Sequence, residues 1–154
     1  MGEGGRGSVL VIGVGNPDRG DDGAGPCVAA LLRAQGLHAI EHLGDGLALI
    51  DLWENHSAVV IVDATVTGAT PGTIRRFDAA AGPLPRAAFA VSSHAFGLAE
   101  AVETARALGR LPASVLVYGI EGESFALGAG LSDCVEQACP RLAQDILVES
   151  FQRQ

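Results

Sequence analysis

Val9-Leu10-Val11-Ile12-Gly13-Val14-Gly15-Asn16-Pro17-Asp18-Arg19-Gly20-Asp21-Asp22-Gly23-Ala24-Gly25 joins an apolar run to an acidic, glycine-rich turn. Four β-favouring apolar residues without a polar break suit a strand covered on both faces, as parallel strands in α/β proteins are. The turn that follows carries Asn16, Asp18, Asp21 and Asp22 and empties into an apolar helical pattern near Pro26. Its carboxylates therefore fall between the carboxyl end of a strand and the amino end of a helix, where open α/β sheets gather their chemistry.

Outward from this stretch the same alternation repeats. Pro26 to Gln35 reads as a short helix, with Val28, Leu31 and Leu32 on one face and Gly36 ending it. Ala39 to Leu43 reads as a second strand, and Leu49, Leu52 and Trp53 mark a helix to about Asn55, capped by Asp45. Ala58 to Ala64 is a β-branched block too apolar for a solvent-facing edge, so it belongs in the sheet centre. After a turn at 67–72, Thr73 to Phe77 carries two arginines and reads as an edge strand. Asp78 to Val91, alanine-rich with Pro83 and Pro85, reads as a mobile loop, one in which Arg86 and Phe89 would help hold a substrate.

Ser92 and Ser93 are natural caps for a helix from about His94 to Leu108, stopped by Gly109. Ser114 to Ile120 is another buried strand, followed by a loop over 121–130. Asp133 with Glu136 resembles a capping box opening a last helix. Val135, Ala138, Leu142 and Ile146 keep phase across Pro140, which predicts a kink there rather than a break. The predicted fold is α/β: a single three-layer domain over residues 1–154, with a mostly parallel twisted sheet of about five strands and helices on both faces. Residues 1–7 read as a loose lead-in.

Composition narrows the function. The formal net charge is −8 in a chain of 154 residues, and every basic residue is an arginine. Nucleic-acid affinity rests on basic residues displacing counterions, so no nucleic-acid partner is expected. No apolar run is long enough to span a bilayer, and the amino terminus has no secretory apolar core, so the expectation is a soluble cytoplasmic protein with no membrane partner. Cys27, Cys134 and Cys139 lack the close pairs of a structural zinc site or a redox CxxC.

Three groups fall at equivalent places in this architecture: Asp22 after the first strand, Asp63 at the carboxyl end of the third, and His94 at the start of the third helix. Two carboxylates and an imidazole suit a borderline divalent ion such as zinc, nickel or iron, or acid and base work without one. Two carboxylates about 4 Å apart repel by about 4 kcal/mol at an effective dielectric near 20, so one keeps a proton or both recruit a cation. Plainer roles exist for each: Asp21 or Asp22 could cap the first helix, Asp63 could be satisfied by backbone amides, and His94 could be a local hydrogen-bonding device. His38 and His42, four apart on a strand, read as structural. Gly13-Val14-Gly15 lacks the third glycine of a dinucleotide fingerprint, and no lysine exists for a phosphate loop. Ser92 and Ser93 have no nucleophile elbow.

These residues carry a resemblance. Gly13-Val14-Gly15-Asn16 with Gly20-Asp21-Asp22-Gly23-Ala24-Gly25, then Val62-Asp63-Ala64, Ser93-His94-Ala95-Phe96-Gly97-Leu98, and Gly119-Ile120-Glu121-Gly122-Glu123-Ser124 with Gly130-Leu131-Ser132 resemble, in order, the motifs of hydrogenase maturation proteases. That family comprises endopeptidases that trim the carboxyl-terminal extension of nickel-iron hydrogenase large subunits. The resemblance implies that Asp22, Asp63 and His94 form the catalytic and metal-contacting site. It also implies that the ion is the nickel already installed in the substrate, with no resident cofactor, and that cadmium or zinc substitutes in crystals. The implied partner is the large-subunit precursor, met by a monomer. Alternatives are a non-catalytic nickel-recognition module on the same scaffold and a peptidyl-tRNA hydrolase-like esterase, which the acidic balance opposes. Asp22 stands where many members have glutamate, and Gly44-Asp45-Gly46-Leu47 where many have Asp-Gly-Gly-Thr.

Overall fold

The computed structural model describes residues 9–91 and 94–153. The predicted lead-in at 1–7 and the predicted caps Ser92 and Ser93 lie outside the described residues. Five strands, β1 (Leu10–Val14), β2 (Ala39–His42), β3 (Ala58–Thr65), β4 (Ile74–Asp78) and β5 (Ser114–Glu121), form one sheet in the order β2-β1-β3-β5-β4. All neighbours are parallel except β4, which runs antiparallel to β5 at the edge. Among the described residues four helices accompany them: α1 (Ala24–Ala34), α2 (Gly46–Trp53), α3 (Leu98–Leu108) and α4 (Asp133–Arg153), with a 3-10 turn at Gly20–Gly23.

The side chains divide the core into two layers by strand alternation. Leu10, Ile12, Val59, Ile61, Val115 and Val117 face α2 and α3. Val11, Val60, Val62, Leu116, Tyr118 and Ile120 face α1 and α4. The handedness of the crossovers accounts for this. The chain steps from β1 to β2 in one direction and from β2 past β1 to β3 in the other, and right-handed connections place the two intervening helices on opposite faces. The reversal between β1 and β3 is the topological switch point, which opens a crevice at the carboxyl ends of those strands.

Two expectations change. Residues 78–91 are packed rather than open: Ala79, Leu84, Ala88 and Phe89 are buried in the layer beneath α2 and α3. The Arg106 guanidinium donates to the carbonyls of Ala79, Ala80 and Gly82 at 2.8, 3.3 and 3.1 Å. Phe89 meets Phe77 edge-on with centroids 5.6 Å apart, so its ring belongs to the core and is not presented to a substrate. Arg86 is exposed and pairs with Glu100 at 3.6 Å.

The third helix begins at Leu98 rather than near His94, with Gly97 as its cap and the Glu100 carboxylate accepting from the Gly97 N–H at 3.1 Å. The other helices stand close to their predicted bounds. Asp45 caps α2 through the Leu47 N–H at 3.1 Å, and α4 continues through Pro140 without a break. The proposed box at the start of α4 is one residue out of place: the helix begins at Asp133, and the Glu136 N–H donates to the Ser132 carbonyl at 2.8 Å.

Candidate functional site

Glycines decide how the first turn folds. Gly15 has φ +142°, and a Cβ there would collide with the Asp22 carbonyl; one at Gly25 would collide with the carbonyls of Val14 and Val62. The turn therefore doubles back over the ends of β1 and β3, and α1 starts in direct contact with both strands. Asp22 lands beside Asp63, which lies on β3 one residue past the end of its pairing with β1 and opposite Gly119 of β5.

The adjacent aspartates do different work. The Asp21 carboxylate accepts from the backbone N–H groups of Glu123, Ser124 and Ser132 at 2.7, 3.1 and 2.7 Å and from the Ser132 hydroxyl at 2.8 Å. Burial alone would raise its pKa, but these donors hold it below the ordinary aspartate range. It ties the turn to the loop between β5 and α4. Among the described residues Asp22 accepts one bond, from the Asn16 N–H at 2.9 Å, and neither aspartate caps α1, whose N-cap is Gly23.

Asp22 and Asp63 are each 5% exposed and face one pocket of about 210 Å³, lined also by Val14, Gly15, Asn16, Arg19, Leu43 and His94. All three residues singled out from the sequence thus meet at one crevice. Asp63 accepts a single hydrogen bond among the described residues, from the Ala64 N–H at 2.8 Å. Burial first, and then the neighbouring Asp22 charge, push its pKa well above the ordinary value. Burial also raises Asp22, opposed by the Asn16 amide and the Arg19 charge. The result is a pair of acids that hold protons more tightly than isolated aspartates do.

His94 approaches from the other side of the crevice on the segment before α3. That segment is pinned where the Gly46 N–H donates to the Phe96 carbonyl at 2.9 Å, at the first residue of α2. His94 is exposed. Among the described residues no three His, Cys, Asp or Glu side chains are drawn close enough together to hold a metal ion. The pocket brings the two carboxylates and the imidazole to one crevice without drawing them into contact around a single point.

His42 behaves as expected of a structural residue: its Nδ1 accepts from the Gly44 N–H at 2.9 Å and shapes the turn after β2. Burial lowers its pKa, and His94 lowers it further against the opposing pull of Asp45.

Two pocket residues escaped the sequence reading as site residues. Asn16 contributes its backbone amide to Asp22, and Arg19 contributes a cation. Arg19 makes no salt bridge among the described residues, although its charge reaches Asp22. The signal for both was their place in the opening turn. A further buried carboxylate, Glu121, is structural: it accepts from the N–H groups of Thr67 and Gly68 and the hydroxyls of Thr65 and Thr67, which outweigh burial and lower its pKa.

Fold and pocket together define a doubly wound α/β protein whose switch-point crevice presents paired carboxylates and an imidazole. The HycI hydrogenase maturation protease family matches residues 40–149, which include Asp63 and His94, and the chain belongs to that family. The hydrogenase expression/formation protein HupD of Rhodobacter capsulatus is 31% identical over 118 residues, covering 73% of this chain and 56% of that protein. HupD of Thiocapsa roseopersicina is 30% identical, with 53% of its length covered, so the chain spans about half the length of the curated relatives it matches.

Among solved structures, the hydrogenase maturating endopeptidase HybD from E. coli superposes with a TM-score of 0.78 at 22% identity, covering 94% of this chain and 93% of that one. The hydrogenase 2 maturation peptidase from Thaumarchaeota archaeon SCGC_AB-539-E09 gives 0.66 at 27% identity, covering 96% and 99%.

Proposed function

We propose that this protein is a cytoplasmic endopeptidase, acting as a monomer, that removes the carboxyl-terminal extension of a nickel-iron hydrogenase large-subunit precursor after nickel insertion. One observation carries the reading: Asp22 and Asp63, nearly buried and short of hydrogen-bond donors, share a crevice with His94. Buried acids so placed are stabilised by an arriving cation far more than by solvent. A nickel ion carried by the substrate supplies that charge. Asp22 and Asp63 contact it from the floor, and His94, on the exposed rim, closes over it from α3's approach segment.

The substrate's own metal then serves as the docking point, and an unloaded precursor lacks the charge that the two acids call for. Cation arrival displaces the protons the acids hold, because only the ionised carboxylates ligate. No resident cofactor is assigned. Membership of the maturation protease family supports hydrolysis as the reaction.

The test is to incubate the purified protein with nickel-loaded precursor and follow precursor length. Shortening by the wild type and its loss in both Asp63→Ala and His94→Ala support the reading. Undiminished trimming by either variant overturns the site. Binding of the precursor by the wild type without any shortening would make the protein a nickel-recognition module instead.

A further inference from the structure

Arg19 reaches the crevice from a rigid base. Its N–H donates to the Asn16 carbonyl at 3.0 Å, and its own carbonyl accepts from the Asp22 N–H at 3.1 Å. The residues on either side are fastened to the loop after β5: the Asp21 N–H donates to the Ser124 carbonyl and the Gly128 N–H to the Asp18 carbonyl, both at 2.8 Å. From there the half-buried Arg19 side chain lines the same pocket as Asp22, Asp63 and His94. A guanidinium keeps its charge at every pH at which a protein works, so a permanent cation stands among the groups assigned above to the substrate's nickel.

That cation is spent differently from the others in the chain. Among the described residues five arginines pair with carboxylates, and Arg75 lies 5.7 Å over the centre of the Phe77 ring. Arg19 makes neither kind of contact, and its charge acts on Asp22 across the pocket. Two nearly buried carboxylates with an imidazole at the rim form a set that takes up borderline divalent ions from solution. A fixed positive charge beside them weakens that uptake in proportion to the charge of the arriving ion. A free aquo ion brings two full charges. An ion delivered in a precursor is already ligated by its carrier, and deprotonated ligands there cancel part of its charge, so Arg19 repels it less.

We propose that Arg19 is a specificity-determining residue that discriminates against free divalent ions, keeping the crevice open for metal carried in by the precursor. This rests on the reading that Asp22 and Asp63 dock on the substrate's nickel. Specificity is a difference of affinities, and a repulsive element set against the unwanted ligand supplies it without any new contact to the wanted one. The acids provide the attraction for both kinds of ion; the guanidinium provides the difference between them.

The experiment is calorimetric titration of the full chain with nickel or cadmium ions alone, in the wild type, R19Q and R19K, each with and without Asp63→Asn. Mildly alkaline pH is used, because every proton displaced from the acids offsets one of the ion's two charges. R19Q is expected to bind the free ion roughly tenfold more tightly than the wild type. The gap should narrow as salt is raised, and R19K, which keeps the charge, should stay close to the wild type. Asp63→Asn should remove the tight binding from R19Q, which locates it in the crevice. In the trimming assay, added free nickel should inhibit R19Q at a correspondingly lower concentration than the wild type. Equal affinity in the wild type and R19Q, lost from both on Asp63→Asn, overturns the proposal and leaves the docking site standing. Tight binding by R19K as well as R19Q, or a gap that salt does not change, overturns it by showing that side-chain bulk and not charge is responsible. Ion binding that Asp63→Asn fails to weaken in R19Q overturns both the proposal and the metal-contacting role of the crevice.

Discussion

Gly46 and Phe96 are locked together: the Gly46 N–H donates to the Phe96 carbonyl at 2.9 Å, and a Cβ on Gly46 would lie 2.5 Å from the Phe96 ring. The start of α2 therefore holds the segment that carries His94, two residues earlier. Gly46→Ala forces Phe96 to move, at a cost of about 1–3 kcal/mol for an overpacked contact. The expected result is a lower urea midpoint together with a large loss of precursor trimming. Asp45→Ala, which removes only the α2 cap at a cost of about 1 kcal/mol, should lower stability and leave most of the trimming intact. Urea denaturation and the processing assay on the two variants separate a cap from a positioning contact.

Asp63 couples the stability of the fold to pH. Its folded-state pKa is raised by burial and by Asp22, so the folded protein binds this proton more tightly than the unfolded chain. The stability so gained is fully present below the ordinary aspartate pKa and is lost as pH climbs through the raised folded value. Asp63→Asn removes the titration and keeps the shape. The variant should be more stable than the wild type at pH 7, by about 0.5–2 kcal/mol as for other relieved active sites, and the gap should close toward pH 4. It should also be unable to trim. Urea midpoints measured across that range test the sign, and equal pH dependence in the two proteins would count against a raised Asp63.

Asp21 should show the opposite pattern. Its carboxylate collects four donors from residues 123–132, and its pKa is lowered, so its contribution is present above the ordinary range and lost as pH falls through the folded value. Asp21→Ala strands three backbone N–H groups and a hydroxyl. A loss of roughly 3 kcal/mol is expected, with faster hydrogen exchange of the amides of Glu123, Ser124 and Ser132. Amide exchange unchanged at those three positions would refute the clamp.

The contrast between these two aspartates marks what could be read in the sequence. The strands were legible because Val9 to Ile12 and Ala58 to Val62 are β-branched or apolar without interruption, and their alternation with helical stripes dictates a parallel sheet. The convergence of Asp22, Asp63 and His94 followed from that topology, since parallel strands share a carboxyl edge. The division of labour between Asp21 and Asp22 was not legible. It is set by a loop about a hundred residues later in the chain, and no local pattern distinguishes neighbouring acids in one turn. Residues 78–91 misled for a related reason. Leu84, Ala88 and Phe89 are buried without helical or strand period, because an irregular segment takes its burial from the helices above it. The start of α3 slipped to Leu98 because Gly97, lacking a side-chain cap of its own, is capped through Glu100.

Arg19 offers a further test of the crevice. It lines the pocket with Asp22 and Asp63, makes no salt bridge among the described residues, and its charge opposes the rise in Asp22's pKa that burial causes. Removing that charge in Arg19→Ala leaves burial less opposed, so Asp22 should ionise at higher pH than in the wild type. The acid limb of the pH profile for trimming should therefore move toward neutrality. Arg19→Lys keeps a cation at the rim and should restore most of the wild-type profile. Arg19 is part-exposed, so neither variant is expected to change the urea midpoint by more than about 0.5 kcal/mol. A pH profile that stays in place in Arg19→Ala would show that this guanidinium does not tune the acid pair.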